Sequence, residues 1–563
     1  MVFAGRQQCV TVAADIDPHD WDPYKTQGEM PLLRTSEDIA HDVIEQAHAT
    51  GGNVILLHDG GGNRRATAGA LDLFVPALRA EGYRFVTISQ LAGKSRETSM
   101  PPVSQAEAPL VRLDRTIIST SFGLFAAVKW LFVGAITLGM VRIVIITGLA
   151  IFASRRKPPV PSPDFRPVVT ALIPAYNEAT VIVRTVESLL RGGEEVDEIL
   201  VIDDGSTDGT AALVEREFAD VPAVRVLRQR NSGKSAALNH GVAEAAGEVL
   251  ICCDADTQFA PGAVGRLVRH FADPQVGAVA GNVKVGNRVN VLTRWQSLEY
   301  ITSQNLDRLA YSVGDAITVV PGAIGAWRRS AVRAVQGYTA DTHAEDTDLT
   351  WRLHRAGWRI RTEQGAIAHT EAPERLGALL KQRFRWTFGT LQCLWKHRGA
   401  LGRHGWFGRA VLPSIWLFNV AFQLVAPLVD IQVFVAVLFA TRSWWQQHFH
   451  VAEWQPDLVS SEFLSVTVAS LAVFFTVDLI AAYIGLRLDR ESPRALTSLF
   501  WQRFTCRQLL YCVLLWALVK AAFGTRTGWG KLERTGSLAP AFAEPSLATA
   551  PAGVEAVEAE PAS

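Results

Sequence analysis

The 563-residue chain carries 55 Lys and Arg against 55 Asp and Glu, and this zero formal net charge excludes bulk electrostatic binding of nucleic acid. Its 48 % hydrophobic content and 16 Trp fit neither an ordinary soluble protein nor an all-membrane one, and predict a soluble domain with several spans. The six cysteines (Cys9, Cys252, Cys253, Cys393, Cys506, Cys512) show no paired metal-ligand spacing, and Cys252-Cys253 lies in an apolar run where packing explains it.

Residues 1–95 contain Asp15-Ile16-Asp17-Pro18-His19-Asp20-Trp21, then a run over 53–57 entering His58-Asp59-Gly60-Gly61, then Gly82-Tyr83-Arg84-Phe85-Val86-Thr87. This order resembles the carboxyl-terminal third of polysaccharide deacetylases. The resemblance implies an active-site strand ending at His58. A zinc site needs three converging protein ligands, and His19, His41 and His48 lie outside the matched pattern. A truncated fragment is therefore expected here. No signal-peptide pattern stands at Met1.

Residues 96–120 read as a linker. Residues 121–153 are apolar apart from Lys129 and Arg142 and are long enough for one crossing of about 20 residues. Arg155-Arg156-Lys157 follows and places the downstream side in the cytoplasm. Residues 1–95 would then be extracytoplasmic.

Residues 164–395 alternate short apolar runs with helical patterns. The run 168–173 enters Pro174-Ala175-Tyr176-Asn177-Glu178, the run 199–202 enters Asp203-Asp204-Gly205-Ser206, and the run 249–253 ends in Asp254-Ala255-Asp256. Helices are predicted over 180–190, 235–246, 292–311 and 349–356, and a strand over 276–285. The alternation predicts an α/β fold, a mostly parallel sheet with helices on both faces. Ligands of such sheets bind beyond the carboxyl ends of the strands, where all three polar clusters fall.

Asp254 and Asp256, at i and i+2 of an extended segment, would point the same way. Two hard oxygen donors suit a Mg²⁺ or Mn²⁺ that also grips a diphosphate. Alone, the pair also fits a solvated turn. Acids on the neighbouring strand end, Asp203 and Asp204, strengthen the functional reading, because paired acids repel unless a cation or donor-rich ligand joins them. Lys234 adds a cation after a flexible turn, although a lone surface lysine is commonplace. Glu345 and Asp346 precede a helix and could be plain caps, or could supply the base that sugar transfer requires. Gln382, Arg385 and Trp386, at i, i+3 and i+4, share a helix face. That face suits a sugar ring and a phosphate, or an interfacial helix with snorkelling arginines.

Downstream, residues 411–440 are apolar but broken by Pro427 and Asp430, and read as a transmembrane segment, either one long kinked helix or a hairpin. Residues 462–487 read as a transmembrane helix, and residues 496–524, holding Arg503, Arg507 and Lys520, as a transmembrane or re-entrant segment. Residues 525–534 form a cytoplasmic Trp and basic loop. Residues 535–563 have the composition of a disordered tail.

The motifs over 168–390 together resemble family 2 glycosyltransferases, specifically membrane-embedded processive synthases with a nucleotide-diphospho-sugar transferase fold. Pro321-Gly322-Ala323-Ile324-Gly325-Ala326-Trp327-Arg328-Arg329, Ala344-Glu345-Asp346 and Gly528-Trp529-Gly530-Lys531-Leu532-Glu533-Arg534 look most like poly-β-1,6-N-acetylglucosamine synthases, with chitin-oligosaccharide and hyaluronan synthases as relatives. The resemblance implies Asp346 as catalytic base. It implies substrate contacts from Pro174, Tyr176, Glu178, Asp203, Asp204, Lys234, Asp254, Glu345, Gln382, Arg385, Trp386, Trp529 and Arg534. It implies a Mg²⁺ or Mn²⁺ on Asp254 and Asp256. Two features depart from the pattern: Ala344, where many relatives carry Thr, and the single span ahead of the domain. The implied function is inverting polymerisation of a β-linked polysaccharide from a UDP-sugar, with UDP-N-acetylglucosamine favoured, and extrusion through the plasma membrane. Its partners would be the donor, the growing polymer, the bilayer and export or accessory subunits. Non-processive transfer to a lipid-linked acceptor, a non-catalytic subunit and a deacetylase with its catalytic half elsewhere are the competing readings.

Overall fold

The computed structural model describes residues 12–22, 24–27, 30–51, 54–59, 64–95, 98, 105, 108–162, 164–192, 195–449, 461–523 and 536–538. Two compact units meet at residues 123 and 124 and are described separately.

In the first unit, strand β1 (Tyr24–Gln27) pairs antiparallel with β2 (Met30–Leu33). Helix α1 (Ser36–Thr50) starts at a capping box between Thr35 and Asp38 and ends at Gly51, whose φ of 60° suits a residue without Cβ. Helix α2 (Arg65–Ala80) packs on it, and Ile39, Val43, Ala70, Phe74 and Leu78 form the core. The expected strand ahead of His58 is reduced to an isolated bridge between Ile16 and Ile55. The linker expected over 96–120 is also corrected, because a 47-residue helix, α3 (Ala108–Ser154), begins inside it. Nothing in 108–120 breaks a helix beyond Pro109, which falls in the first turn where proline is tolerated.

The second unit holds an eight-stranded sheet. Its strands are β3 (Val169–Ala175), β4 (Glu198–Asp203), β5 (Val224–Arg228), β6 (Val249–Cys252), β7 (Gln258–Phe259), β8 (Val276–Val285), β9 (Gly325–Arg328) and β10 (Arg359–Thr370), in the order β5-β4-β3-β6-β9-β8-β10-β7. The half from β5 to β6 is parallel. β9 runs antiparallel to both β6 and β8, and β7 antiparallel to β10. β3 separates β4 from β6, so the two acidic strand ends are not adjacent as expected; they flank the end of β3. Helices α4 (Ile182–Leu190) and α5 (Lys234–Glu244) cover opposite faces, each over its own buried cluster. Helix α6 (Glu345–Arg355) precedes β10, and helix α7 (Leu376–Lys396) follows it. The predicted helix over 292–311 is present, but with a π-helical turn at Tyr300–Asn305.

Among the described residues, four helical stretches are long and apolar enough to cross a membrane: Ala126–Ser154, Phe407–Val435, Val466–Leu488 and Pro493–Ala522. The second continues into helix α8 (Phe422–Phe449), and Pro427 is accommodated without ending it. The third belongs to helix α9 (Ser461–Leu488) and the fourth to helix α10 (Leu499–Ala522). Three of their arginines are paired with acids. Arg142 meets Asp307 at 2.7 Å, Arg503 meets Asp478 at 2.9 Å, and Arg507 meets Asp430.

The loop after α9 is built into the sheet. Asp489 accepts from Asn282 Nδ2 at 2.5 Å, and Asn305 Nδ2 donates to Asn282 Oδ1 at 2.7 Å. Lys284 on β8 donates to the Asp489 carbonyl at 2.8 Å and pairs with Glu491 at 3.0 Å.

Candidate active site

β3 pairs with β6 only through Leu172 but with β4 as far as Ala175. Pro174, which has no N–H, therefore falls where the β6 ladder has already stopped and no donor is needed. Space opens at that point. Cys252, Lys234, Gly322, Glu345, Asp346 and Pro174 itself line a void of about 10 Å³, room for a single water.

Lys234 opens helix α5. Its ammonium lies 2.7 Å from Asp254 Oδ1 and 3.0 Å from Glu345 Oε1. Burial alone would lower its pKa, but Asp254 and Glu345 outweigh burial and hold it charged well above the usual range. Asp346, in the first turn of α6, accepts from the Thr347 N–H at 2.7 Å and from the Gly322 N–H at 3.3 Å. A Cβ at Gly322 would stand 3.0 Å from Lys234 Nζ and 3.8 Å from carboxylate oxygens of both Asp254 and Asp346. Three expected site residues thus surround one glycine. Burial, then the charge of Glu345, pushes the Asp346 carboxyl up to about 6.

The segment after β6 is a turn closed by the Thr257 N–H on the Asp254 carbonyl at 3.1 Å, not the extended stretch expected from sequence. The two acids therefore part company. Asp254 faces Lys234, and the buried Asp256 accepts from Thr370 Oγ1 on β10 at 3.4 Å. Both remain hard oxygen donors on one short turn, a set that fits Mg²⁺ or Mn²⁺ in kind; an ion on Asp254 would meet Lys234 there.

Asp204 is engaged inside the protein. Its carboxylate accepts from Gln229 Nε2 at 2.7 Å and from the Ser232 and Gly233 N–H groups at 2.8 Å each. It fixes the turn from which Lys234 emerges. Asp203 is buried and accepts from the Ser206 N–H at 3.3 Å. Asn177, at a φ of 54°, ties the ends of β3 and β4 together, accepting from the Thr207 N–H at 2.7 Å and donating its own N–H to Ser206 Oγ at 2.8 Å. Tyr176 beside it is exposed, and the Glu178 N–H donates to Thr210 Oγ1 at 2.9 Å.

Gln382, Arg385 and Trp386 lie on α7 as predicted. Gln382 is buried and accepts from Arg383 at 3.3 Å. Trp386 is partly buried against the core, with the Tyr300 ring 6.2 Å away and the Arg383 guanidinium 4.4 Å from its centroid. The helix is fastened to the Asp346 segment. A Cβ at Gly389 would sit 2.7 Å from Ala344 Cβ, and the His343 N–H donates to Gln392 Oε1 at 2.9 Å. The small side chain of Ala344 is what this close approach demands. Below it, Asp348 gathers Arg352 at 2.7 Å, Lys396 at 2.8 Å and His397 at 2.9 Å.

Residues 170–335 match the family model described as Glycosyl transferase family 2. The chain contains a family 2 glycosyltransferase domain. Among curated relatives, poly-beta-1,6-N-acetyl-D-glucosamine synthase of Staphylococcus aureus strain COL is 34 % identical over 222 residues, covering 39 % of this chain and 54 % of that protein. The synthase of the same name from Staphylococcus epidermidis is 32 % identical over the same length and shares. The chain thus spans about half the length of the curated relatives it matches. Among solved structures, a mannosyltransferase from Pyrobaculum calidifontis in complex with GDP-Man and Mn²⁺ aligns with a TM-score of 0.48 at 22 % identity, over 62 % of this chain and 99 % of that one.

The glycosyltransferase domain brings Pro174, Lys234, Asp254, Glu345 and Asp346 together. It keeps Asp204 in a supporting turn and Asp256 against β10. Trp529 and Arg534, and the whole loop 525–534, lie outside the described residues. The tail expected to be unstructured from 535 is corrected at Gly536 to Leu538. Arg184 donates to the Leu538 and Gly536 carbonyls at 2.8 and 3.2 Å, and Leu538 is buried. Sequence reasoning missed Tyr300, Arg383 and Gly389. Gly389 is the one with a legible signal, as the lone glycine in the middle of an otherwise strong helix.

Proposed function

We propose that this chain is an inverting membrane glycosyltransferase that polymerises a β-linked polysaccharide from UDP-N-acetylglucosamine. The observation that carries the reading is the meeting of Asp346, Lys234 and Asp254 around Gly322, at the carboxyl end of the sheet in a family 2 domain. Identity to the staphylococcal synthases over 222 residues supports the donor and the product.

Asp346 takes the acceptor hydroxyl proton. Its carboxyl, pushed up to about 6, is charged at neutral pH yet basic enough to serve. The acceptor oxygen then attacks the anomeric carbon as the bond to UDP breaks, and the charge leaves with the diphosphate. Lys234 lies beside Asp254 to meet that charge. Asp254 and Asp256 would hold a divalent cation, which supplies Lewis-acid neutralisation of the diphosphate when bound. Pro174, Tyr176, Glu178, Asp203 and Asp204 form or brace the nucleotide side. Gln382, Arg385 and Trp386 present the acceptor face, with Trp529 and Arg534 as further substrate contacts. The apolar helices anchor the domain at the cytoplasmic face of the plasma membrane and give the polymer its way out. Residues 1–95 form an extracytoplasmic deacetylase-like fragment.

The test is incubation of membranes containing the full chain with Mg²⁺ or Mn²⁺ and each of several labelled UDP-sugars, followed by sizing of the product. Long polymer from UDP-N-acetylglucosamine, absent with Asp346→Asn, is the expected result. A single added sugar on a lipid would replace this reading with the non-processive one.

A further inference from the structure

The second unit holds a cavity apart from the acid cluster. It is a cleft of about 1140 Å³, and none of its lining residues belongs to the site described above. Two walls are the last turns of apolar helices: Ser154 and Arg156 at the end of the first candidate span, and Arg487 and Leu488 at the end of the third. The remaining walls come from β8 and β10, from the helical stretch that carries Arg266, Arg269 and His270, and from Leu309 and Ser312. Helix ends of this kind lie at headgroup depth.

The lining is strongly cationic, with seven Lys and Arg side chains against three acids. The acids are already engaged. Glu363 holds Arg269 and His270, Asp489 holds Asn282, and Asp273 is within 3.4 Å of Arg359. Arg361 is paired with Asp315. Lys157, Arg487 and Arg490 have no such partner among the described residues and are exposed. Arg490 also adopts a φ of 57° at the end of α9, where the Glu491 N–H closes on the Leu486 carbonyl at 2.9 Å. Glycine is the residue that turn prefers; an arginine there accepts local strain. Beside the cleft, Phe152 and Tyr483 stand exposed on the spans, apolar surface at the depth of acyl chains.

We propose that this cleft binds the phosphate headgroup of an anionic phospholipid from the leaflet that the two helix ends reach. The headgroup would bridge Lys157 after the first span to Arg487 and Arg490 after the third, clamping both span ends against the outer strands. The proposal stands independently of the sugar chemistry.

The test is native mass spectrometry of the full-length protein in detergent titrated with phosphatidylglycerol, phosphatidylcholine or inorganic phosphate. Phosphatidylglycerol should bind in preference to phosphatidylcholine and resist excess inorganic phosphate. Replacing Arg487 and Arg490 with Gln should weaken phosphatidylglycerol about tenfold to thirtyfold and leave phosphatidylcholine unchanged. Arg490→Gly relieves the backbone, so it should keep or raise the melting temperature while still weakening phosphatidylglycerol; it serves if the double variant does not fold. Equal binding of the two lipids, or unchanged affinity in Arg490→Gly, would overturn the proposal. Complete displacement by inorganic phosphate would also overturn it, by assigning the cleft to a soluble anion.

Discussion

The ammonium of Lys234 sits 2.7 Å from Asp254, at the carboxylate expected from sequence to hold a metal. A divalent ion held by Asp254 would therefore compete with the lysine for one oxygen atom. Lys234→Gln should bind Mn²⁺ severalfold more tightly in the absence of donor, because an opposing charge has gone. Its turnover should still fall by about 10² or more, since a charge aimed at the departing diphosphate is lost. Manganese titration by electron paramagnetic resonance, set beside initial rates, checks both halves; unchanged affinity would show that the two cations do not share the oxygen.

Asp346 should set the acid limb of the pH profile. Its raised carboxyl must be ionised to act, so the rate should climb as pH rises through about 6 and level off above it. Lys234 lowers this value, so in Lys234→Gln the residual acid limb should move to higher pH. A limb that stays in place would uncouple the two residues.

Gly389→Ala weighs two opposed effects. Alanine improves a helix interior by up to about 1 kcal/mol. Here its Cβ would lie 2.7 Å from Ala344 Cβ and 2.8 Å from the Ala344 nitrogen, and overpacking costs about 1–3 kcal/mol. The clash should win, lowering the melting temperature slightly. Because Ala344 lies two residues before Asp346, the proposed base, kcat should fall about tenfold or more, read from polymer synthesis at saturating donor.

Asp348 is a stability residue. Burial would raise its pKa, but hydrogen bonds from His397 and Lys396, with Arg352 close by, outweigh burial and hold it well below the ordinary carboxylate value. Its stabilisation is present above the unfolded pKa of about 3.9 and drains away as pH falls from there. Asp348→Ala leaves three cationic or imidazole groups around an empty place, and should cost about 3–5 kcal/mol. Thermal melts at neutral pH and near pH 3 would show a large gap between variant and parent at the first and a smaller one at the second.

Asp204→Ala should act on donor affinity. The carboxylate holds the Ser232 and Gly233 N–H groups ahead of Lys234. Releasing them should raise KM for the donor more than it lowers kcat, with Asp204→Asn intermediate because its single amide oxygen keeps part of the pattern.

The parallel half of the fold was legible because each strand there ends in a turn rich in Gly, Asp or Asn, and because helical periods separate the strands. The other half was legible only at β8, which matches the strand expected over 276–285. β9 is only four residues, Gly325–Arg328, and reads in sequence as part of a motif. The direction of Asp256 was hidden for a similar reason: a three-residue acidic motif does not reveal whether its backbone is extended or turned. The pairing of Lys234 with both Asp254 and Glu345 joins residues 20 and more than 100 positions apart, drawn from the start of α5, the turn after β6 and the start of α6, which no local pattern links. Arg142, Arg503 and Arg507, which blurred the reading of the spans, found acids on neighbouring helices.

Asp489 and Glu491 accept from Asn282, Lys284 and Asn305, and among the described residues they are the partners of the buried Lys284 ammonium. A version of the protein cut after α7 to free the catalytic half from lipid would strip those partners from polar groups buried in the sheet. Such an excised piece should aggregate or melt early. The bilayer-facing helices serve as a missing wall of the enzyme as much as its anchor.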